Sequence, residues 1–249
     1  MQTFINSRFE QIEKRFGEIQ LILDLASSSR GNIDLYQALC RSAHVLLVGH
    51  FEGLYKEICR DVIDDINANT SFYQVKNVIF STHCSYYIHS KESEGSFKLI
   101  RDKLFEALKS YPSKLIVDPF LFFDNKNPTP DILETILKKF GVKNFFKVIE
   151  GSDLDIVFED EKTKVIKLRD RLLNYVKKGT VTYPYKLDPS IYHPSENVSK
   201  SKITLWESFI NNFLKERHNI IHGNTLNWIN RFKLTPLRHF KKPPFAELI

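Results

Sequence analysis

The sequence predicts an all-α protein, and three observations carry that prediction. Apolar residues recur at alternating steps of three and four through six segments, the spacing that aligns them on one face of a helix. Segment ends carry helix punctuation, such as Thr129-Pro130 at a start and Gly223 at a stop. Strand-like, partly β-branched character is confined to one short run, 114–123, which reads as a strand or as buried loop. Helices so outweigh strands that a doubly wound nucleotide fold is not expected. There is no Walker-type glycine loop, no G-x-G-x-x-G and no G-x-S-x-G elbow, and no cofactor is expected.

Taken in order, the first helix spans about residues 3–26. Phe9, Ile12, Phe16, Ile19 and Leu23 give it a stripe that can close a seam within the monomer or with a second subunit. Residues 27–32 break it. The second helix, about 33–67, is the longest, and its broad apolar face from Leu35 to Ile66 is that of a buried central element. Glu52 and Lys56 stand on it four residues apart, a spacing that reads as a surface pair contributing about 0.2–0.5 kcal/mol. Residues 70–88 give no clear pattern. His83-Cys84 with His89 lacks a nameable fourth zinc ligand, so no metal is expected.

A helix over about 96–109 follows, with Phe97, Ile100, Leu104 and Leu108 on one face. The loop 125–130 opens the next, with Thr129 as N-cap, Pro130 as first helical residue and Gly141 as C-cap. Another helix, about 161–178, points Val165, Leu168 and Leu172 inward and seven Lys and Arg outward. That basic face reads either as a solvated surface or as one that tracks phosphates. Residues 179–200 form a long surface connector whose Tyr183, Tyr185 and Tyr192 either stack on bases or pin the loop to the core. A basic tail, 224–249, ends the sequence.

Composition sets outer limits. At 249 residues the chain has room for one or two domains, and 20 Phe within a 42% apolar fraction can build a substantial core. No run of about 18 apolar residues predicts a membrane span, and the N-terminus does not read as a signal peptide. A cytoplasmic protein is expected. The net charge of +6 permits a polyanionic partner without requiring one. Cys40, Cys59 and Cys84, an odd number without close spacing, read as reduced buried thiols.

The most informative stretch closes the last helix, which runs from about Ile203 to Gly223. Its stripe is Ile203, Trp206, Ile210, Phe213 and Ile220, and where position 217 calls for an apolar residue the sequence has Arg217. An arginine keeps its charge and is rarely buried unpaired, so this one needs a partner, a ligand or an interface. His222 lies about 140° round the helix from it and aligns instead with His218 and Asn219. Two copies about a dimer axis can bring both arginines and both histidines into one cleft.

The string Arg217-His218-Asn219-Ile220-Ile221-His222-Gly223 resembles the R-x-x-x-x-H signature of HEPN (higher eukaryotes and prokaryotes nucleotide-binding) ribonucleases. His50-Phe51-Glu52-Gly53-Leu54-Tyr55-Lys56 resembles the H-W-E-G-F-x-K segment of stand-alone bacterial HEPN proteins of toxin and phage-defence loci, with Phe51 in place of tryptophan. The two motifs occur in the family's order, about 160 residues apart. The resemblance implies a helical bundle forming a single HEPN-like domain over 1–249, with core helices at about 3–67 and 201–223, a helical insertion at about 70–200 and the tail 224–249. It also implies a homodimer with a composite active site, and RNA cleavage without a metal. His222 would act as general acid/base and Arg217 as phosphate clamp, with His218 or Asn219 positioning groups around them and Glu52 orienting the arginine or the histidine. An antitoxin partner belongs to the same picture. Asn224 stands where paired toxins carry a tyrosine, so modification there by a nucleotidyltransferase is not implied. The rival expectation is a non-catalytic module that binds RNA or nucleotides or that dimerises.

Overall fold

Two polar side chains open the two longest helices. Thr3 Oγ1 accepts the Asn6 N–H at 3.1 Å at the start of α1 (Phe4–Ser28), and Asn32 Oδ1 accepts the Leu35 N–H at 3.1 Å at the start of α2 (Ile33–Asn69). The structure, a computed structural model of the chain, describes residues 2–88, 94–111, 113–121, 127–159, 161–192 and 202–223. These residues are helical and turn structure without a strand: α3 (Asn77–Tyr86), α4 (Glu94–Lys109), α5 (Pro130–Lys139), α6 (Phe145–Ile149), α7 (Lys162–Gly179) and α8 (Leu205–Ile221) follow the first pair. No described helix is long and apolar enough to cross a membrane.

α1 and α2 pack as an antiparallel hairpin with a charged seam. Arg8 grips Asp61 through Nε at 2.6 Å and Nη2 at 2.9 Å and reaches Glu57 at 3.1 Å, while Arg15 holds the other Glu57 oxygen at 2.7 Å. Asp65, 1% exposed, accepts the Phe4 and Ile5 N–H groups and the Tyr185 hydroxyl. A buried carboxylate is tolerable there because it meets three donors and the positive end of α1. Asn6 ties the same end to α7 through the Lys177 carbonyl at 2.6 Å.

α2 is the central element, as its pattern predicts, and it serves two apolar clusters. Ile63 and Ile66 pack with Phe72, Phe80, Leu115 and Phe120. Val48, with Phe51 and Tyr55, packs with Leu133, Phe146, Ile210 and Leu214. Each such side chain, fully buried, contributes about 1.5–3 kcal/mol.

Several expectations are corrected. The patternless 70–88 region contains a 3-10 turn at Phe72–Gln74 and then α3, whose buried face mixes Ile79 and Phe80 with His83 and Cys84. The described part of 114–123 is loop with a 3-10 turn at Asp118–Phe120, its Leu115 N–H satisfied by Asn67 Oδ1 at 2.8 Å instead of by a neighbouring strand. α5 stops at Lys139 with Phe140 as its C-cap, and Gly141 follows in the left-handed conformation, φ 92°. Ile203 precedes α8 and is exposed. Tyr185 pins the connector through Asp65, and Tyr183 packs on the first cluster. The tail 224–249, His89 and the side chain of Tyr192 lie outside the described residues.

Candidate functional site

The motif helix is fixed along its length. At its start, Thr204 and Glu207 form a reciprocal capping box, Thr204 Oγ1 accepting the Glu207 N–H at 3.1 Å and Glu207 Oε2 accepting the Thr204 N–H at 2.6 Å. Glu150 accepts the Leu205 N–H, and Asp155 accepts the Trp206 indole N–H at 2.7 Å. In the middle, Ile210 and Leu214 are buried against Val48 and Leu133. His44 of α2 bonds the Phe213 carbonyl at 3.0 Å and packs on the Phe213 ring, and burial lowers the His44 pKa.

This anchoring decides where the last turns face. Arg217 is half-buried, and its Nη1 donates to Asn127 Oδ1 at 2.6 Å. Its Nε is screened from water and, among the described residues, has no acceptor. Asn127 precedes α5, and its carbonyl accepts the Thr129 N–H at 2.7 Å. Because Leu133 of α5 packs on α8, that loop is carried to the arginine. His218 and His222 are exposed, one helical turn apart, with ring centroids 4.3 Å from each other. His222 caps the helix with its N–H on the His218 carbonyl, and Gly223 turns the chain away at φ 70°. Asn219 is half-buried between them.

One protomer thus joins His218 to His222 and Arg217 to Asn127, on different sides of the helix, as the helical geometry requires. Glu52 hydrogen-bonds Lys56 at 2.9 Å, the surface-pair arrangement; among the described residues it bonds neither Arg217 nor His222. Asn127 is the neighbour that sequence reasoning missed. It stands 90 positions from Arg217, in a loop legible only as the start of a helix.

The basic face of α7 is largely compensated. Lys164 pairs with Glu161, Arg169 with Asp170, Arg171 with Asp153 and Lys177 with Glu13, which is the pattern of a solvated surface. The cysteines are buried free thiols, and burial pushes Cys59 up to about 12 and Cys84 up to about 11, away from nucleophilic use. No group of three or more His, Cys, Asp and Glu among the described residues is arranged to hold a metal. A groove of about 500 Å³ lined by Thr82, Ser85, Tyr86, Pro119 and Lys139 contains no motif residue.

The family model RiboL-PSP-HEPN matches residues 10–235, which includes both motifs and nearly all of the described helices. No curated protein and no solved structure matches the chain.

Proposed function

Since the chain belongs to the RiboL-PSP-HEPN family, within a superfamily associated with ribonuclease and RNA-binding functions, we propose that it is a metal-independent endoribonuclease. The observation that carries the proposal is Arg217. A guanidinium sits on the inward stripe of a helix, held by a neutral amide and, among the described residues, by no carboxylate, one turn from an exposed histidine pair. A charge kept in that state suits an anionic ligand better than a structural ion pair.

RNA brings its own nucleophile. The 2′-oxygen attacks the adjacent phosphorus, the bond to the 5′-oxygen breaks, and the ends are a 2′,3′-cyclic phosphate and a 5′-hydroxyl. His222 takes the proton of the 2′-OH or returns one to the leaving oxygen, and Arg217 balances the charge that grows on the phosphoryl oxygens. His218 packs against the His222 ring and sets its orientation, and Asn219 borders the same turn. Glu52, which bonds Lys56 within one protomer, is assigned the role of orienting the arginine or the histidine of the assembled site. A Glu52→Gln protein that cleaves like wild type would leave it in the ion pair with Lys56 alone.

A second copy completes the site in this proposal. Phe16, Leu21, Leu25, Ile33, Leu35 and Ile221 are exposed on α1, α2 and the end of α8, an apolar supply for a homodimer. The proposed setting is a cytoplasmic toxin–antitoxin or abortive-infection system, with an antitoxin as protein partner.

The test incubates wild type and His222→Ala with total tRNA and a structured mRNA in EDTA. Cleavage by wild type alone, leaving cyclic-phosphate ends, is expected. Equal cleavage by both removes His222 from the mechanism. RNA binding without cleavage favours the non-catalytic binding or dimerisation module, a reading with support in the separation of Arg217 from the histidines within one protomer.

A further inference from the structure

The partner of Arg217 is neutral, and that has chemical meaning. An amide oxygen fixes the plane of a guanidinium and leaves its charge uncancelled. A carboxylate at the same place would fix it equally and cancel the charge, all the more strongly at a half-buried position.

The bond also occupies a particular edge. Nη1, which donates to Asn127, lies on the side of the guanidinium that faces its own Cδ. The opposite edge, Nε–H with Nη2–H, carries two parallel donors spaced for two oxygens of one phosphate. Among the described residues Nε has no acceptor, and it is screened from water, so it is the charge of the guanidinium and not this donor that stands unused.

Asn127 is well placed to hold that orientation. Pro128 beside it is buried, its own carbonyl accepts the Thr129 N–H, and Pro130 starts α5 immediately afterwards. Two fixed proline φ angles leave the loop little freedom to withdraw the amide. We propose that Asn127 is a positioning residue for phosphate capture, fixing the plane of the Arg217 guanidinium through a neutral acceptor and leaving its charge uncompensated for bound RNA. The inference rests on the reading of Arg217 as the phosphate clamp.

The test compares wild type, Asn127→Asp and Asn127→Ala on a short single-stranded RNA and on its 2′-O-methyl form, which binds but cannot be cleaved. Melting temperature is measured for each. Asn127→Asp preserves shape and acceptor, so it melts at or above the wild-type temperature, yet it binds the 2′-O-methyl RNA about 10-fold or more weakly because the carboxylate competes with phosphate. Asn127→Ala loses about 3-fold in affinity and more in kcat than in KM, as expected when a clamp is loosened more than it is removed. A purely structural role predicts the reverse order, with Asp harmless and Ala damaging only to the melting temperature.

Wild-type affinity in Asn127→Asp overturns the inference, whatever the cleavage assay gives. If Asp lowers the melting temperature, Asn127→Ala decides alone, and unchanged Kd and kcat overturn it. Asn127-dependent binding by a wild type that does not cleave upholds the inference and removes the nuclease. Cleavage indifferent to Asn127 does the opposite, and no binding by wild type removes both.

Discussion

Arg217→Lys separates charge from shape. Lysine keeps the positive charge and loses the planar fork, so affinity for RNA should fall by only a few-fold while kcat falls by about 10–100-fold, the loss of one or two charge-assisted bonds in the transition state. Single-turnover cleavage at saturating RNA beside 2′-O-methyl RNA binding measures the two separately; weaker binding with kcat unchanged would make Arg217 a ground-state contact only. The position of this arginine was legible because it interrupts an apolar stripe at a residue type that resists burial. Its partner was not, because hydrogen bonding leaves no periodic trace, and an asparagine ahead of Thr129-Pro130 reads as loop whichever way its side chain turns. Glu52 teaches the complementary point. Its i,i+4 spacing to Lys56 was visible in the sequence, and that local pair is the bond the folded chain makes.

At the scale of one element, α8 is a lever with its fastenings far from its working end. The capping box at Thr204 and the burial of Leu214 hold it, and His222 lies at its tip. Thr204→Ala should cost about 0.5–2 kcal/mol and Leu214→Ala about 2–5 kcal/mol in urea denaturation. Leu214→Ala should also lower cleavage, since the cavity opens one turn from Arg217; Thr204→Ala should leave kcat within about 2-fold, because fraying at an N-terminus dies out within a turn or so. Equal kinetic damage from the two would contradict this view of the helix. Long helices with continuous stripes were readable to within two or three residues. α6 and the turn at Asp153–Phe158, which clasp the start of α8, were not, since neither is long enough to establish a period. α3 escaped because its buried face carries a histidine and a cysteine where a simple pattern expects aliphatic residues.

At the scale of the whole molecule, pH and association are the accessible tests. Burial lowers the pKa of both His44 and His83 from 6.5. The folded protein therefore binds fewer protons than the unfolded chain below that value, and stability is lost as pH falls through about 6.5 toward the folded pKa values. The urea midpoint at pH 5 should lie below that at pH 7, and His44→Gln should flatten the difference; a midpoint constant over that interval would show that neither histidine is held neutral. Leu25→Glu, on the exposed apolar row of the hairpin, should turn a dimer into a monomer by light scattering at micromolar concentration and abolish cleavage without lowering the melting temperature of the monomer. An active monomer would sink the composite site.

α2 runs unbroken for 37 residues, a rod about 55 Å long, and both apolar clusters are built on it. Between Leu54 and Asn69 it contains neither glycine nor proline, so nothing in that span acts as a hinge. A disturbance in the Phe80 cluster is therefore transmitted to the bed of α8 as rigid displacement and not absorbed on the way. The two halves should melt together, and amides between Tyr55 and Val62 should exchange with solvent only when the whole molecule opens.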